Sequence, residues 1–479
     1  MKLSYKIIHF LVFIFLLTSE LYSENIKGMK QEVSSYGETF DVDFNAKGQW
    51  SVKSDAPWLS FSKNGGSLIN NEKVELKIFV EFNHYDNRRA VVNFVVNGEN
   101  KIFQIRQDRW ERPVFKYRVG DPEMSFDENK FDKSYKYYKQ MMLWKTAGKL
   151  GGIPHLSDVL KKITKTFDAN STCDQIISYF EENKDKEIYV LLKNGNYHFT
   201  RALKLYSNAT LIGESREGVI ITLGPEFPMS DAIDASYKMN VGIRNLTING
   251  AWLNEDGENT PKYDFHVELP GRGKHRTIDF GSTENSYIDD VNLYNNASHP
   301  IWLGGKHNTV RGVAIDASFN KGGGCQGYFF VQGERNLITN CFITRIRHLS
   351  FQGQASRLNV FYDNDIRQEV TFHANDGGDN LIEYNRVYLP PTMREAYNAI
   401  MGPWSSKHKV GGLNFIFRNK CKEDNKGRGG KTPWSDEKLY LGPYIVSVGV
   451  NNPTRYTNFK SLDITDLPQG GTLYPVVLD

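Results

Sequence analysis

Cysteine is scarce: Cys173, Cys325, Cys341 and Cys421 are the four among 479 residues. So few exclude a disulfide framework as the source of stability. None stands with histidine at the spacing of a zinc site. An excess of one charge sign is lacking too. The formal net charge is +3, which counts against nucleic acid as a partner. Long apolar runs are missing beyond residues 1–23, where Lys2 and Lys6 precede Ile7 to Leu17, and Thr18, Ser19 and Ser23 follow. That stretch reads as a signal peptide and is too short for a comfortable span. The expected mature chain is secreted or periplasmic, with no stable membrane insertion after cleavage. No cysteine follows the run, so a lipid-anchored form is not expected. Composition does not fix an oligomeric state. What is plentiful is aromatic residues, 13% of the chain with 25 Tyr and 8 Trp. Aromatic rings can stack on sugar rings or fill a core, and this raises the expectation of a carbohydrate ligand.

Residues 25–109 alternate like short strands. Phe40 to Phe44, Gly48 to Val52, Val74 to Val80, Ala90 to Val96 and Lys101 to Ile105 each carry one apolar face, and Asn97-Gly98 supplies a hairpin turn. The expected product is a small β-sandwich. Trp50, then Trp58-Leu59-Ser60 with Gly65-Gly66, Asn83, Arg88-Arg89 and the closing Gln104-Ile105-Arg106-Gln107 resemble the BACON domain. That family is an immunoglobulin-like module of exported carbohydrate-processing proteins, and the resemblance implies either sugar binding or a spacer. Residues 110–170 read as a connector, with a short helix expected between Tyr135 and Leu150.

From residue 171 onward the pattern changes. Cys173, Ile176, Ile177 and Phe180 share one helical face, with Ser171 or Thr172 as the cap. Strand-like segments and a turn at Lys193 to Tyr197 follow. A repeat then sets in. Its units begin at Asn308, Asn336, Asn359, Asn380 and Asn414, with buried-type residues two, five and seven positions later. Val241 to Ile248 and Ser286 to Leu293 fit the same template. A period near 22 residues suits one coil of three short strands, and the 45-residue interval suggests an extra coil. The capping helix, the Gly-x-Tyr turn and the coils resemble the pectate-lyase-like superfamily. The expected fold is therefore all-β: an immunoglobulin-like β-sandwich followed by a right-handed single-stranded parallel β-helix over residues 171–479. Three asparagines at an otherwise apolar position, Asn364, Asn385 and Asn419, are expected to stack and bond from coil to coil.

A second strand of each coil aligns Thr277 to Phe280, Pro300 to Leu303, Tyr328 to Val331, His348 to Phe351 and Glu369 to Phe372. Its outward columns read Asp279, Trp302, Phe330, Ser350, Thr371, then Thr277, Pro300, Tyr328, His348, Glu369, then Gly281, Gly304, Gln332, Gln352, His373. A strip with aromatics at one end and titratable groups at the other fits a polysaccharide. β-Elimination from a uronic acid needs a cation to neutralise the carboxylate and a base to take the adjacent proton. His348 and His373 are the candidate bases, with Arg347, Arg367 and Glu369 completing the catalytic set. Trp302, Tyr328, Gln352, Arg345, Asp376 and Trp404 are the candidate substrate contacts. Glycoside hydrolysis by paired carboxylates such as Glu369, Asp376, Asp279 or Asp289-Asp290 is the alternative, and a non-catalytic carbohydrate-binding role is the third. No metal site is recognisable, although calcium near Asp376 and Asp379 stays open.

Overall fold

The computed structural model describes residues 26–33, 35, 38–80, 83, 87–109, 118–124, 132–223, 227–228, 230–250, 275–320, 325–389, 399–401, 412–423, 439–441, 446–447, 460–461 and 472–475. The signal-peptide stretch and Trp404 lie outside them. The chain divides into two compact units, residues 1–115 and 116–479.

The first unit is a seven-stranded antiparallel assembly save for one short parallel edge pairing. Its longest strand, Glu38–Ser54, pairs with Gly65–Val80 through Ser51, and then with Arg88–Val96 through Ser51 to Ser54. Changing partner lets the sheet curl over one core. Val42, Phe44, Trp50, Trp58, Leu76, Ile78, Val92 and Phe94 are buried there. Trp50 packs edge-on against Phe44, and Arg88 lies 4.4 Å from the Trp58 ring centroid. Both tryptophans are therefore core residues and not stacking platforms.

The second unit is a parallel β-helix with three strands per coil. Thr172 caps the helix Cys173–Glu182 in a reciprocal capping box with Gln175, and Ile176, Ile177 and Phe180 close the end of the solenoid core. One face stacks strands such as Thr309–Arg311, Leu337–Thr339, Val360–Tyr362 and Leu381–Glu383. A second stacks Ala314–Ser318, Phe342–Thr344, Asp365–Arg367 and Arg386–Leu389. The third stacks Arg276–Phe280, His299–Leu303, Tyr328–Val331, His348–Gln352 and Val370–Ala374. Alternate residues such as Ile338, Ile343 and Leu349 point inward and are buried.

The turn asparagines form two ladders. In the first, Oδ1 of Asn336, Asn359, Asn380 and Asn414 accepts the backbone N–H of the asparagine one coil earlier at 2.9–3.1 Å. In the second, Asn364, Asn385 and Asn419 do the same for Cys341, Asn364 and Asn385 at 2.9–3.0 Å. The first column, which marks the repeat in the sequence, is thus as much a ladder as the second. The 45-residue interval holds no extra coil, because Gly242 to Asn249 pairs directly with Tyr287 to Tyr294. The surplus residues fall within one coil, between the strands Gly242–Asn249 and Arg276–Phe280.

The stretch from Arg118 to Leu150 belongs to the solenoid unit. Its helix Tyr138–Trp144 lies on the outer side of the first face. Trp144, Met141, Tyr137 and Val119 form a second core there with Leu337, Val360, Leu381, Phe415 and Tyr474. Arg118 reaches Asp290 at 2.5 Å, and Arg311 bonds both Asp289 and Asp121. Burial alone would push the Asp289 carboxyl up. Arg311, Arg118 and Arg244 outweigh it and hold the group down at about 2.

Candidate functional site

The third face brings six of the eleven candidate residues together and carries a seventh, Gln352, at the end of its strand. Register places Asp279 beside Trp302, Trp302 beside Phe330, Tyr328 beside His348 and Phe330 beside Ser350, as the column reading of the sequence expects. Rings then pack at tilted angles across this face. Arg276 sits 4.1 Å from the Trp302 centroid, Trp302 4.4 Å from Phe330, and Phe330 4.9 Å from Tyr328. Trp302 lies half-buried between Arg276 of the preceding strand and Phe330 of the following one, so neighbours take up its faces.

Tyr328 is the hub. His348 meets its ring edge-on at 4.5 Å, Arg347 lies 5.3 Å from its centroid, and its hydroxyl is 3.3 Å from His373 Nε2. His348 and His373 are 5.8 Å apart between ring centres. His348 Nδ1 bonds Glu369 Oε1, while Gln368 donates its side-chain amide to Glu369 Oε2 and to the Arg347 carbonyl. The Tyr328, His348 and Glu369 side chains are buried, and His373 and Arg347 are half-buried. Burial and then the neighbouring Arg347 charge hold the His348 imidazole below its usual range and hence neutral. Burial raises the Tyr328 phenol above its usual range against the opposing pull of Arg347. The tyrosine keeps its proton and can donate it.

His373 reaches this group through an irregularity that the sequence did not reveal. Phe351 pairs with Phe372, but Gln352 pairs with Ala374, so His373 is an extra residue in a β-bulge. Bulges re-aim side chains next to sites. Here the bulge moves His373 out of the Gln352 column and against Tyr328. Gln352 ends its strand half-buried, 3.5 Å from Ser350 Oγ.

Three candidates stand elsewhere. Arg345 forms a bidentate pair with buried Asp316, both contacts at 2.7 Å. Arg367 projects from the second face, 3.5 Å from Asp365 and 5.1 Å from the Tyr388 ring. Asp376 is buried and accepts from Gly378 N and from Asn414 Nδ2, ending the first asparagine ladder. An arginine already engaged by a carboxylate is a poor receptor for another, and Asp376 acts as scaffold. Among the described residues, no group of three or more His, Cys, Asp or Glu could hold a metal ion.

A carboxyl pair went unnoticed in the sequence because Asp231 lies outside the repeat. Arg276 Nη1 bridges Asp231, at 3.6 Å, and Asp279. Burial and then Asp279 raise the Asp231 carboxyl to about 6. The signal available was the register, which puts the strand Ile233–Asp234 directly beside Ile278 and Asp279.

Residues 25–108 match the viral BACON domain family. No curated protein sequence matches the chain. Among solved structures, a GH5 xyloglucanase of Bacteroides ovatus in complex with a XXXG heptasaccharide matches at 10% identity and a TM-score of 0.17. The match covers 40% of this chain and 55% of that one, so it spans little more than half of the enzyme. Likeness at that level carries no argument about activity. Among the described residues no helix is long and apolar enough to cross a membrane.

Proposed function

We propose that the chain is an exported polysaccharide lyase that cleaves an acidic, uronic-acid-containing glycan by β-elimination on the third face. The observation that carries this reading is the approach of the Tyr328 hydroxyl to His373 beside Arg347 and the His348–Glu369 pair. In the reaction His373 takes the proton from the carbon next to the uronate carboxylate. The carbon–oxygen bond to the leaving sugar then breaks as a carbon–carbon double bond forms, and Tyr328 gives its proton to the departing oxygen. Arg347 neutralises the carboxylate while negative charge develops. Glu369 accepts a hydrogen bond from His348 Nδ1 and fixes that ring beside Tyr328. The apolar run at residues 1–23 supports export, and the N-terminal BACON match accords with a carbohydrate-directed protein.

The test is turnover on a panel of uronate and neutral polysaccharides, read as ultraviolet absorbance of the unsaturated product with reducing ends in parallel. His373→Ala and Tyr328→Phe are each expected to lower kcat by about 10²–10⁴-fold. Reducing ends without absorbance would sink the elimination reading. That result would favour the second reading, glycoside hydrolysis, for which the Asp231 carboxyl at about 6 beside Asp279 is the supporting observation. Neither signal would leave a carbohydrate-binding protein.

A further inference from the structure

Side chains of the preceding coil hold Tyr328 where the sheet ladder gives out. Its strand, Tyr328–Val331, pairs with His299–Leu303 at Trp302 to Phe330 and Leu303 to Val331. The same register carried back sets Pro300 opposite Tyr328. Proline has no N–H to give a ladder, so the start of the strand must be held in another way. Two side chains do this. Ser298 Oγ accepts the Gly327 N–H at 3.1 Å. His299 Nδ1 lies 3.2 Å from both the backbone nitrogen and the carbonyl oxygen of Tyr328. It accepts from the N–H in one neutral tautomer and donates to the carbonyl in the other, so the Tyr328 backbone is clamped in either.

His299 touches the strip at two more points. Its ring centre is 5.1 Å from that of Phe330 and 5.8 Å, edge-on, from that of Trp302. Ser298 and His299 are both fully buried. From the following coil, Arg347 N donates to the Gly327 carbonyl at 2.7 Å. The bend at Gly327, with φ of +73°, is thus fixed by both neighbouring coils. The Tyr328 hydroxyl sits at the end of this anchored residue, 3.3 Å from His373 Nε2. Burying a polar ring where phenylalanine would pack as well has a cost, which the clamp offsets.

We propose that His299 is a positioning residue: through the Tyr328 backbone it holds the phenol against His373, so its effect falls on turnover and not on substrate binding. The effect on turnover rests on the lyase reading, whereas the clamp rests on the distances alone.

The test pairs two substitutions that separate the nitrogen from the ring. His299→Asn keeps a polar atom at the place of Nδ1 and loses the ring. His299→Phe keeps the ring against Trp302 and Phe330 and loses the nitrogen. On a uronate polymer that yields unsaturated product, His299→Phe should lower kcat by about 10–100-fold, the scale of a misplacement of about 1 Å, with KM within about threefold. His299→Asn should keep kcat within about threefold of wild type. Melting curves check that each variant folds, and Ser298→Ala, which removes the neighbouring clamp, takes the place of His299→Phe if that chain does not. A packing role predicts the reverse order, with Phe tolerated and Asn harmful. The proposal falls on that order, on an unchanged kcat in His299→Phe, or on equal losses in both variants. Histidine nitrogen NMR of the full chain reads the same clamp without substrate. The His373 ring signals, assigned by their disappearance in His373→Ala, should move in His299→Phe and stay in His299→Asn. If they do so in a protein that forms no unsaturated product, the clamp stands and the lyase reading falls. Product from wild type, with kcat and the His373 signals unchanged in His299→Phe, keeps the lyase reading and discards the clamp.

Discussion

Glu383 shows how one buried side chain can hold a distant part of the chain. Both carboxyl oxygens are used: Leu473 N and Tyr474 N donate to them at 2.8 Å. The group is fully buried. Burial raises its pKa to about 8, and the two N–H bonds and Arg418 only partly oppose that. A carboxyl whose folded pKa lies above its unfolded value of 4.5 favours the folded state most below 4.5, and this contribution is lost as pH rises to about 8. Glu383→Gln should therefore flatten the fall of Tm with pH across that window, and a pH series of melting curves measures it. Glu383→Leu should instead orphan two buried N–H groups, at about 1–3 kcal/mol each, at every pH. Equal pH profiles for wild type and the Gln variant would refute the assignment.

At the scale of the repeating element, the asparagine ladders are the feature to test. Asn359 Oδ1 accepts from both the backbone and the side-chain amide of Asn336, and its own amide donates to Gly333 O and Asn380 Oδ1. Asn359→Ala leaves buried donors and an acceptor unmet on both sides. It should cost about 2–5 kcal/mol by denaturant titration, whereas exposed Gln354→Ala should stay within about 0.5 kcal/mol. A cost near that of Gln354→Ala would mean that water replaces the ladder. The ladders also explain what was legible in the sequence. A buried polar residue must be satisfied in the same way in every coil, so Asn364, Asn385 and Asn419 recur and set the register of Trp302, Tyr328 and His348. What was not legible breaks the period. His373 enters the site through one extra residue, and Asp231 precedes the first coil in which the repeat can be read. Arg345 looked available because its partner Asp316 lies 29 residues away, a pairing that only the stacked coils create.

At the scale of the whole molecule, the sequence boundary at residue 171 and the structural boundary at 116 make different predictions. Composition marks residues 110–170 as a connector because Trp110 to Met124 mixes two prolines with polar and aromatic residues. Val119 and residues 135–147 instead cover an outer face of the solenoid that alternation alone would leave wet. Trp144, Met141, Tyr137 and Val119 bury Leu337, Val360, Leu381 and Phe415, and a fully buried side chain of this size contributes about 1.5–3 kcal/mol. Losing Arg118 and Asp121 also strips outer partners from the buried Asp289–Arg311 pair, which keeps Arg244. These losses together match the whole stability of an ordinary domain, about 5–15 kcal/mol. A chain starting at residue 116 should therefore unfold in one cooperative transition and run as a defined species on size exclusion. One starting at residue 171 should aggregate or melt without cooperativity, because its exposed first face presents a contiguous apolar patch. A cooperative transition at the same Tm for both chains would show that residues 118–150 decorate the solenoid and do not complete it.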